Sequence, residues 1–429
     1  MLGPHRCETV EAVTSVSVST PMSRLSLSRA TDADWDDIIN TDARAFAMRN
    51  PLPDDERVDL RGKVADDDVV LVRDTGLDGH PLVGVSMFYR MSMSLPGTGV
   101  ADAAGLSWVS VASTHRRRGI LRRMLTTLFE QWESEDYTFA ILTASEGTIY
   151  ERFGFGPACF ANDISITSGQ AAMREAQPEG ATVRYADADA VAEAIPDLHA
   201  RWTLTTPGAL TRTPAWWKPI LADRRSERPL SASGLHYLLH ADGYASYRIH
   251  KDTTGAVRGE INEVFAVTDE AHTDLWRVLI NLDLIPSLTA SIPLDDPLPQ
   301  KLVDPRSAPV TGTSDTMWLR ILDVPAALGS RQYGADLDAV IEVTDEFRGH
   351  GGVFDISVRE GGAIVAPAAE NTTPTVSLDT SVLSSIYLGG VAPSRFAAAG
   401  RLRVDSPTTL RALDHAFLTD RAPFSGTFF

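Results

Sequence analysis

Arg116-Arg117-Arg118-Gly119 follows an apolar strand, Ser107 to Val111, and opens directly into an amphipathic helix beginning Ile120-Leu121-Arg122. The first turn of a helix carries backbone N–H groups with no intrahelical acceptor, and the helix dipole adds partial positive charge there. With the guanidinium groups, the amides from Arg117 to Arg122 suit a pyrophosphate. A P-loop would need a second glycine and a Lys-Ser/Thr pair, and a dinucleotide fold three spaced glycines; neither pattern is present. The expected ligand is a phosphorylated carrier, against the plainer reading of a basic, solvated helix start.

A second constellation lies downstream. Ala140-Ile141-Leu142-Thr143 has the makeup of a buried strand, and Ala144 to Tyr150 then starts a short helix that closes on Gly154 and Gly156. That order carries Tyr150 beside the ligand of the basic turn, where a phenol can give up a proton or simply pack with Phe153. His115 serves structure or phosphate, and Trp108 is core or a wall of the acceptor cavity. Trp35 and Phe46 read as core, and Arg224, Arg225 and Arg228 as a solvated face. His236, His240 and His250 lack metal-ligand spacing and no Cys/His cluster exists, so no metal is expected.

Arg116 and Gly119 match the Arg/Gln-x-x-Gly-x-Gly/Ala acyl-CoA loop of the GCN5-related N-acetyltransferases (GNATs), with Leu121 departing from the small last position. Tyr150-x-x-Phe153-Gly154-Phe155 matches a second pattern of that superfamily. Taken with the aromatic end Phe428-Phe429, the chain from about Leu25 onward resembles the enhanced intracellular survival (Eis) aminoglycoside acetyltransferases of actinobacteria. The resemblance implies an α/β (α+β) fold of two tandem GNAT units and a C-terminal sterol-carrier-like domain. It implies acetyl-CoA as cosubstrate, its pyrophosphate on Arg117, Arg118, Gly119, Ile120, Leu121 and Arg122. The pantetheine would pair along Val109, Ser110 and Val111, with Ser145 and Glu146 closing the far side. Tyr150 would protonate the leaving thiolate, and the α-carboxylate of Phe429 would take or orient the ammonium proton. Trp108 would touch the acceptor, an aminoglycoside or other polyamine acetylated at one or several amines. Protein lysines as substrates and a homohexamer are further implications. Some Eis enzymes have His where Thr143 stands and an acidic residue where Phe428 stands, which bears on amine preference.

These groups need a scaffold, and 429 residues exceed a single core. We read a leader at 1–22, disordered or mis-annotated; a catalytic domain at 23–168; a degenerate copy at 169–312; and a sterol-carrier-like domain at 313–429 that delivers Phe429. In the first domain Thr31 to Asp34 cap a helix from Trp35, and the Pro-rich, acidic stretch Asn50 to Glu56 reads as a substrate loop. Around Ile261 to Arg277 the strand-turn-helix pattern recurs, but Asp269 and Glu270 replace the arginines, so the copy would repel a pyrophosphate. The strand Met317 to Pro325 opens the third unit, an antiparallel sheet with helices after it. Cys7 and Cys159 do not suggest a disulfide framework, no run is apolar enough to span a membrane, and the leader lacks a secretory pattern, which places the chain in the cytoplasm. A net charge of −18 disfavours nucleic acid and favours cationic ligands. Two rivals share these features: an N-myristoyltransferase-like enzyme, and a lipid-binding module around an inactive acetyltransferase fold.

Overall fold

The computed structural model describes residues 24–97, 99–175 and 182–429. The expected leader at 1–22, Cys7 and residues 176–181 near the start of the second domain lie outside the described residues. Thr31 opens the helical segment after β1: its N–H and hydroxyl both reach the Asp34 carboxylate, at 2.9 and 2.7 Å. Helix α1 (Trp35–Phe46) then buries Trp35, Ile38, Ile39, Asp42 and Ala43 at the three- and four-residue spacing of an amphipathic helix. Phe46, expected in the core, ends this helix 43% exposed. The substrate-loop stretch is only partly a loop, because α2 (Asp54–Arg61) starts inside it with three carboxylates in its first turn, where the dipole favours them.

Strands β1 (Leu25–Arg29), β2 (Val69–Asp74), β3 (Leu82–Ser94) and β4 (Val100–Val111) form an antiparallel series. Helix α3 (Ile120–Ser134) crosses over to β5 (Phe139–Leu142), which runs parallel to β4, and α4 (Gly147–Tyr150) leads into β6 (Gly156–Thr167). The second copy follows with β7 (Arg184–Ala186), α5 (Ala188–Thr203), α6 (Pro214–Ala222), β8 (His236–His240), β9 (Gly243–Lys251) and β10 (Val257–Ala266). Helix α7 (Asp269–Ile280) then crosses to β11 (Ser287–Pro293), parallel to β10. Strand β12 (Val310–Ile321) lies between β5 and β6, so one twelve-stranded sheet runs β1-β2-β3-β4-β5-β12-β6-β11-β10-β9-β8-β7. The strand assigned from sequence to the third unit is thus part of the shared sheet: its alternation suits any antiparallel partner, and only the vacant edges of β5 and β6 select its place.

The third unit is a five-stranded sheet, β15-β14-β13-β16-β17, built from β13 (Leu337–Thr344), β14 (Gly352–Arg359), β15 (Gly362–Pro367), β16 (Val376–Asp379) and β17 (Leu402–Val404). Its fully buried helix Thr380–Tyr387 packs on β6 and β12, seating the unit on the main sheet. Gly156 permits that approach, since a Cβ there would lie 2.1 Å from the Ser381 carbonyl oxygen. Of the three arginines expected on a solvated face, Arg225 is exposed, Arg228 pairs within the second unit, and only Arg224 joins the first two units. Arg224 pairs with Asp55 and Asp59 of α2 at 2.6 and 2.5 Å, and Arg228 with Asp223 at 3.1 Å. Among the described residues no helix is long and apolar enough to cross a membrane.

Candidate active site

The basic turn is built for close approach. Arg117 and Gly119 adopt left-handed φ values of 62° and 75°, and the first bond of α3 runs from Arg123 N to Gly119 O at 3.0 Å. A Cβ on Gly119 would meet no protein atom within 4 Å, so the space above the helix start is open to a ligand. Arg117, Gly119 and Arg122 are exposed, whereas Ile120 and Leu121 turn into the apolar cluster under the helix. The bulky Leu121 therefore leaves the turn clear. His115 takes the structural alternative: it is buried, with Nε2 3.1 Å from Asp74 and Nδ1 2.7 Å from the Thr114 hydroxyl.

Beside this turn the sheet opens. The register of β4 with β5 ends at Leu106 opposite Leu142, while β4 continues to Val111. From Ser107 onward β4 presents an edge without that neighbour. The edge is also bent: Val85 faces Ser110 and Met87 faces Ser107, so two residues of β4 oppose Ser86. Trp108, at the bulge, has a φ of 51° and packs half-buried against the same cluster as Phe429. Bulges redirect strands next to active sites, and beyond this one Val109 and Val111 pack on the apolar cluster under α3 while Ser110 is buried.

Two acids flank the gap. Tyr150, 6% exposed, shares its apolar cluster with Leu106 and Leu142, the last paired residues before the split. Burial, and secondarily the Glu146 carboxylate, push its phenol up to about 12, so it keeps its proton at neutral pH. Ser145 and Glu146 are exposed at the start of α4. The other acid is Asp42, which the sequence reading passed over; burial pushes its carboxyl up to about 6, and it accepts a 2.7 Å bond from the Ser110 hydroxyl. Its signal was an aspartate in phase with the apolar stripe of α1.

From the other face, the ring of Phe429 reaches β4 at Gly105, where an added Cβ would lie 3.2 Å from its Cε2. Phe428 beside it is 81% exposed. A cavity of about 390 Å³ lies between the Thr143 end of β5, strands β10, β11 and β12, and residues 424–428. Glu263, Asp296 and Asp315 line it, and the hydroxyls of Thr143 and Thr316 are buried there without a partner among the described residues.

Residues 26–158 and 208–321 each match the acetyltransferase (GNAT) domain family, and residues 324–426 match the sterol carrier protein domain. N-acetyltransferase Eis of Mycobacterium tuberculosis is 35% identical over 403 residues, covering 92% of this chain and 97% of that protein. The chain belongs to the Eis family of N-acetyltransferases. An uncharacterised N-acetyltransferase of Streptomyces griseus is 31% identical over 354 residues, 78% of this chain and 84% of its own. The crystal structure of Eis1 from Mycobacterium abscessus superposes with a TM-score of 0.82 at 30% identity, covering 94% of this chain and all of that one. The GNAT fold of the Eis family implies acetyl-CoA as acyl donor, and the open space at Gly119 fits its phosphates. In the second copy the corresponding helix start is closed to an anion: Thr268 Oγ1 already accepts the Ala271 N–H at 3.2 Å, and Asp269 and Glu270 stand in the first turn.

Proposed function

We propose that this member of the Eis family acetylates primary amines of polyamines, aminoglycosides above all, by direct transfer. The observation that carries the reading is the cavity beside the split. It adjoins the catalytic strand at Thr143, is lined by three carboxylates against the single guanidinium of Arg212, which pairs with Glu263, and offers two hydroxyls without a partner among the described residues. Such a lining suits a ligand rich in ammonium and hydroxyl groups, and the net charge of −18 favours its encounter. A second cavity of about 400 Å³ shares Arg212, Glu263 and Phe428 with the first, leaving room for a multi-ring acceptor to present different amines.

Acetyl-CoA supplies the acyl group as a thioester. Arg117, Arg118 and the amides through Arg122 would hold its pyrophosphate, and the free edge at Val109, Ser110 and Val111 its pantetheine, with Ser145 and Glu146 opposite. Amides of that edge would stabilise negative charge on the reacting carbonyl oxygen. Tyr150, kept protonated by burial, holds the proton that the departing sulfur takes. The α-carboxylate of Phe429 accepts the proton shed by the attacking amine, directly or through water, and Trp108 walls the acceptor side. Assembly as a homohexamer belongs to the same reading and is checked by sizing in solution.

Release of free thiol from acetyl-CoA, followed with aminoglycosides, linear polyamines and lysine peptides, tests this. Aminoglycoside turnover should fall about 10²- to 10⁴-fold in Tyr150→Phe, the usual contribution of a positioned acid. Turnover with peptides alone would transfer the substrate claim to protein lysines, and no turnover with any amine would overturn it.

A further inference from the structure

The second acetyltransferase unit keeps the strand geometry of a carrier site although its helix start is closed to anions. Parallel pairing of β10 with β11 ends at Ile261 opposite Ala290, and both strands run on, to Ala266 and Pro293. Pairing of β4 with β5 likewise ends before β4 does, at Leu106 and Leu142, although there β5 itself stops. Strand β10 also carries a register shift at Asn262, between Ile261 and Glu263, as β4 does at Trp108. The opened stretch of the second copy faces residues 424–428 across the cavity.

Those residues are held by the second unit along their length. Ala422 N donates to Asp295 at 2.8 Å, Phe424 N to the Pro207 carbonyl at 3.0 Å, and Leu210 N to the Ser425 carbonyl at 3.0 Å. Arg212, with a side chain only 3% exposed, donates from Nε to the Thr427 hydroxyl at 2.9 Å and from Nη2 to the Gly426 carbonyl at 2.6 Å. Glu263 fixes that guanidinium from behind at 2.6 Å and is itself fixed by the Tyr244 hydroxyl at 2.9 Å, while Trp217 and Phe265 cover its faces. Gly426 has a φ of 63° and lies so close to Trp202 that a Cβ would stand 2.4 Å from the indole. The receiving segment is registered to the catalytic unit in turn: Ser94 at the end of β3 exchanges backbone bonds with Gly208 and Ala209, at 2.7 and 2.9 Å.

We propose that the inert copy, in place of binding an acyl carrier, receives the chain's own C-terminal segment beside its opened strands, and that Arg212 is the positioning residue that sets where Phe429 lies in the catalytic unit. The catalytic consequence rests on the reading of Phe429 given above; the docking does not. Two readouts on the full-length protein separate them. Timed carboxypeptidase digestion should release Phe429 and Phe428 about tenfold faster from Arg212→Gln than from the parent, the scale of a lost charged hydrogen bond. The same variant should lose about tenfold in kcat with KM for acetyl-CoA unchanged, and Arg212→Lys should restore part of it. In protein lacking Phe429, Arg212→Gln should cause no additional loss, because the group it positions is gone. Thr427→Val leaves the Arg212–Glu263 pair intact, and should give the same changes at about threefold if Arg212→Gln does not fold. Unchanged protection in these variants, or an equal loss with Phe429 absent, would overturn the proposal. If deleting Phe429 leaves turnover intact, the catalytic reading fails while the digestion still decides the docking.

Discussion

Asp42 lies on the buried face of α1 among Trp35, Ile38 and Ile39, 3% exposed, and accepts its bond from Ser110 on the strand that borders the gap. Its folded pKa of about 6 is raised from 3.8, so its contribution to stability is complete below about pH 3.8 and is lost as pH rises through 6. The shift corresponds to about 3 kcal/mol of penalty on the ionised form. Asp42→Asn keeps an acceptor for Ser110 without the charge, and should be more stable than the parent by up to that amount at pH 8 but not at pH 4. Unfolding midpoints at the two pH values check this. Tyr150 gives the complementary kinetic expectation. With its phenol at about 12, loss of the acid should not limit kcat below about pH 10, whatever falls at the acidic limb. An alkaline limb near neutrality that Tyr150→Phe abolishes would contradict the assignment. The position of Tyr150 beside Leu106 and Leu142 was legible because its motif is local; Asp42 was not, because its partner is distant in sequence and only packing reveals the pair.

The turn between β4 and α3 shows how an element converts sequence into a binding surface. Gly119 is needed for its left-handed φ, and the space where its Cβ would stand is empty of protein. Gly119→Ala should cost about 1 kcal/mol through backbone strain and should raise KM for acetyl-CoA much more than KM for the amine. Initial-rate kinetics with each substrate varied separate the two. At Gly105 an added methyl would stand 2.6 Å from Met91 Sδ and 3.2 Å from the Phe429 ring. Gly105→Ala should therefore displace the aromatic end and lower kcat while leaving acetyl-CoA binding near its parent value, measured by calorimetric titration. Strand and helix identities were readable from period. The helix α2 was missed because its stretch opens with prolines and carboxylates, which mark a loop and a helix N-terminus alike.

At the scale of the molecule, the three units are joined through β12. Arg320 on this strand is 1% exposed and meets Asp345 of the third unit at 2.7 Å. Each charge offsets the desolvation of the other, so removing Arg320 leaves the Asp345 carboxylate without its counter-charge, held by the Phe347 and Arg348 N–H groups at 3.2 Å. Arg320→Ala should lower stability by about 3–5 kcal/mol, and Arg320→Met with Asp345→Asn, which keeps an acceptor for the Phe347 and Arg348 N–H groups, should recover most of it. Thermal melts of both variants test the contrast. Gly154 belongs to the same joint, because a Cβ there would collide with the Arg320 guanidinium.

The sequence by itself determined the local chemistry: the basic glycine turn, the tyrosine helix, the repeat with its anion site erased, and the aromatic end. Each is set by neighbours a few residues apart, through helix starts, strand period and side-chain charge. Tertiary structure alone decided which strand edges pair, hence the place of β12 between β5 and β6. It also decided that Asp42 meets Ser110 and that Arg212 holds Thr427. Those choices depend on burial and hydrogen-bond satisfaction between segments far apart in the chain, and no local pattern encodes which distant group will be the partner.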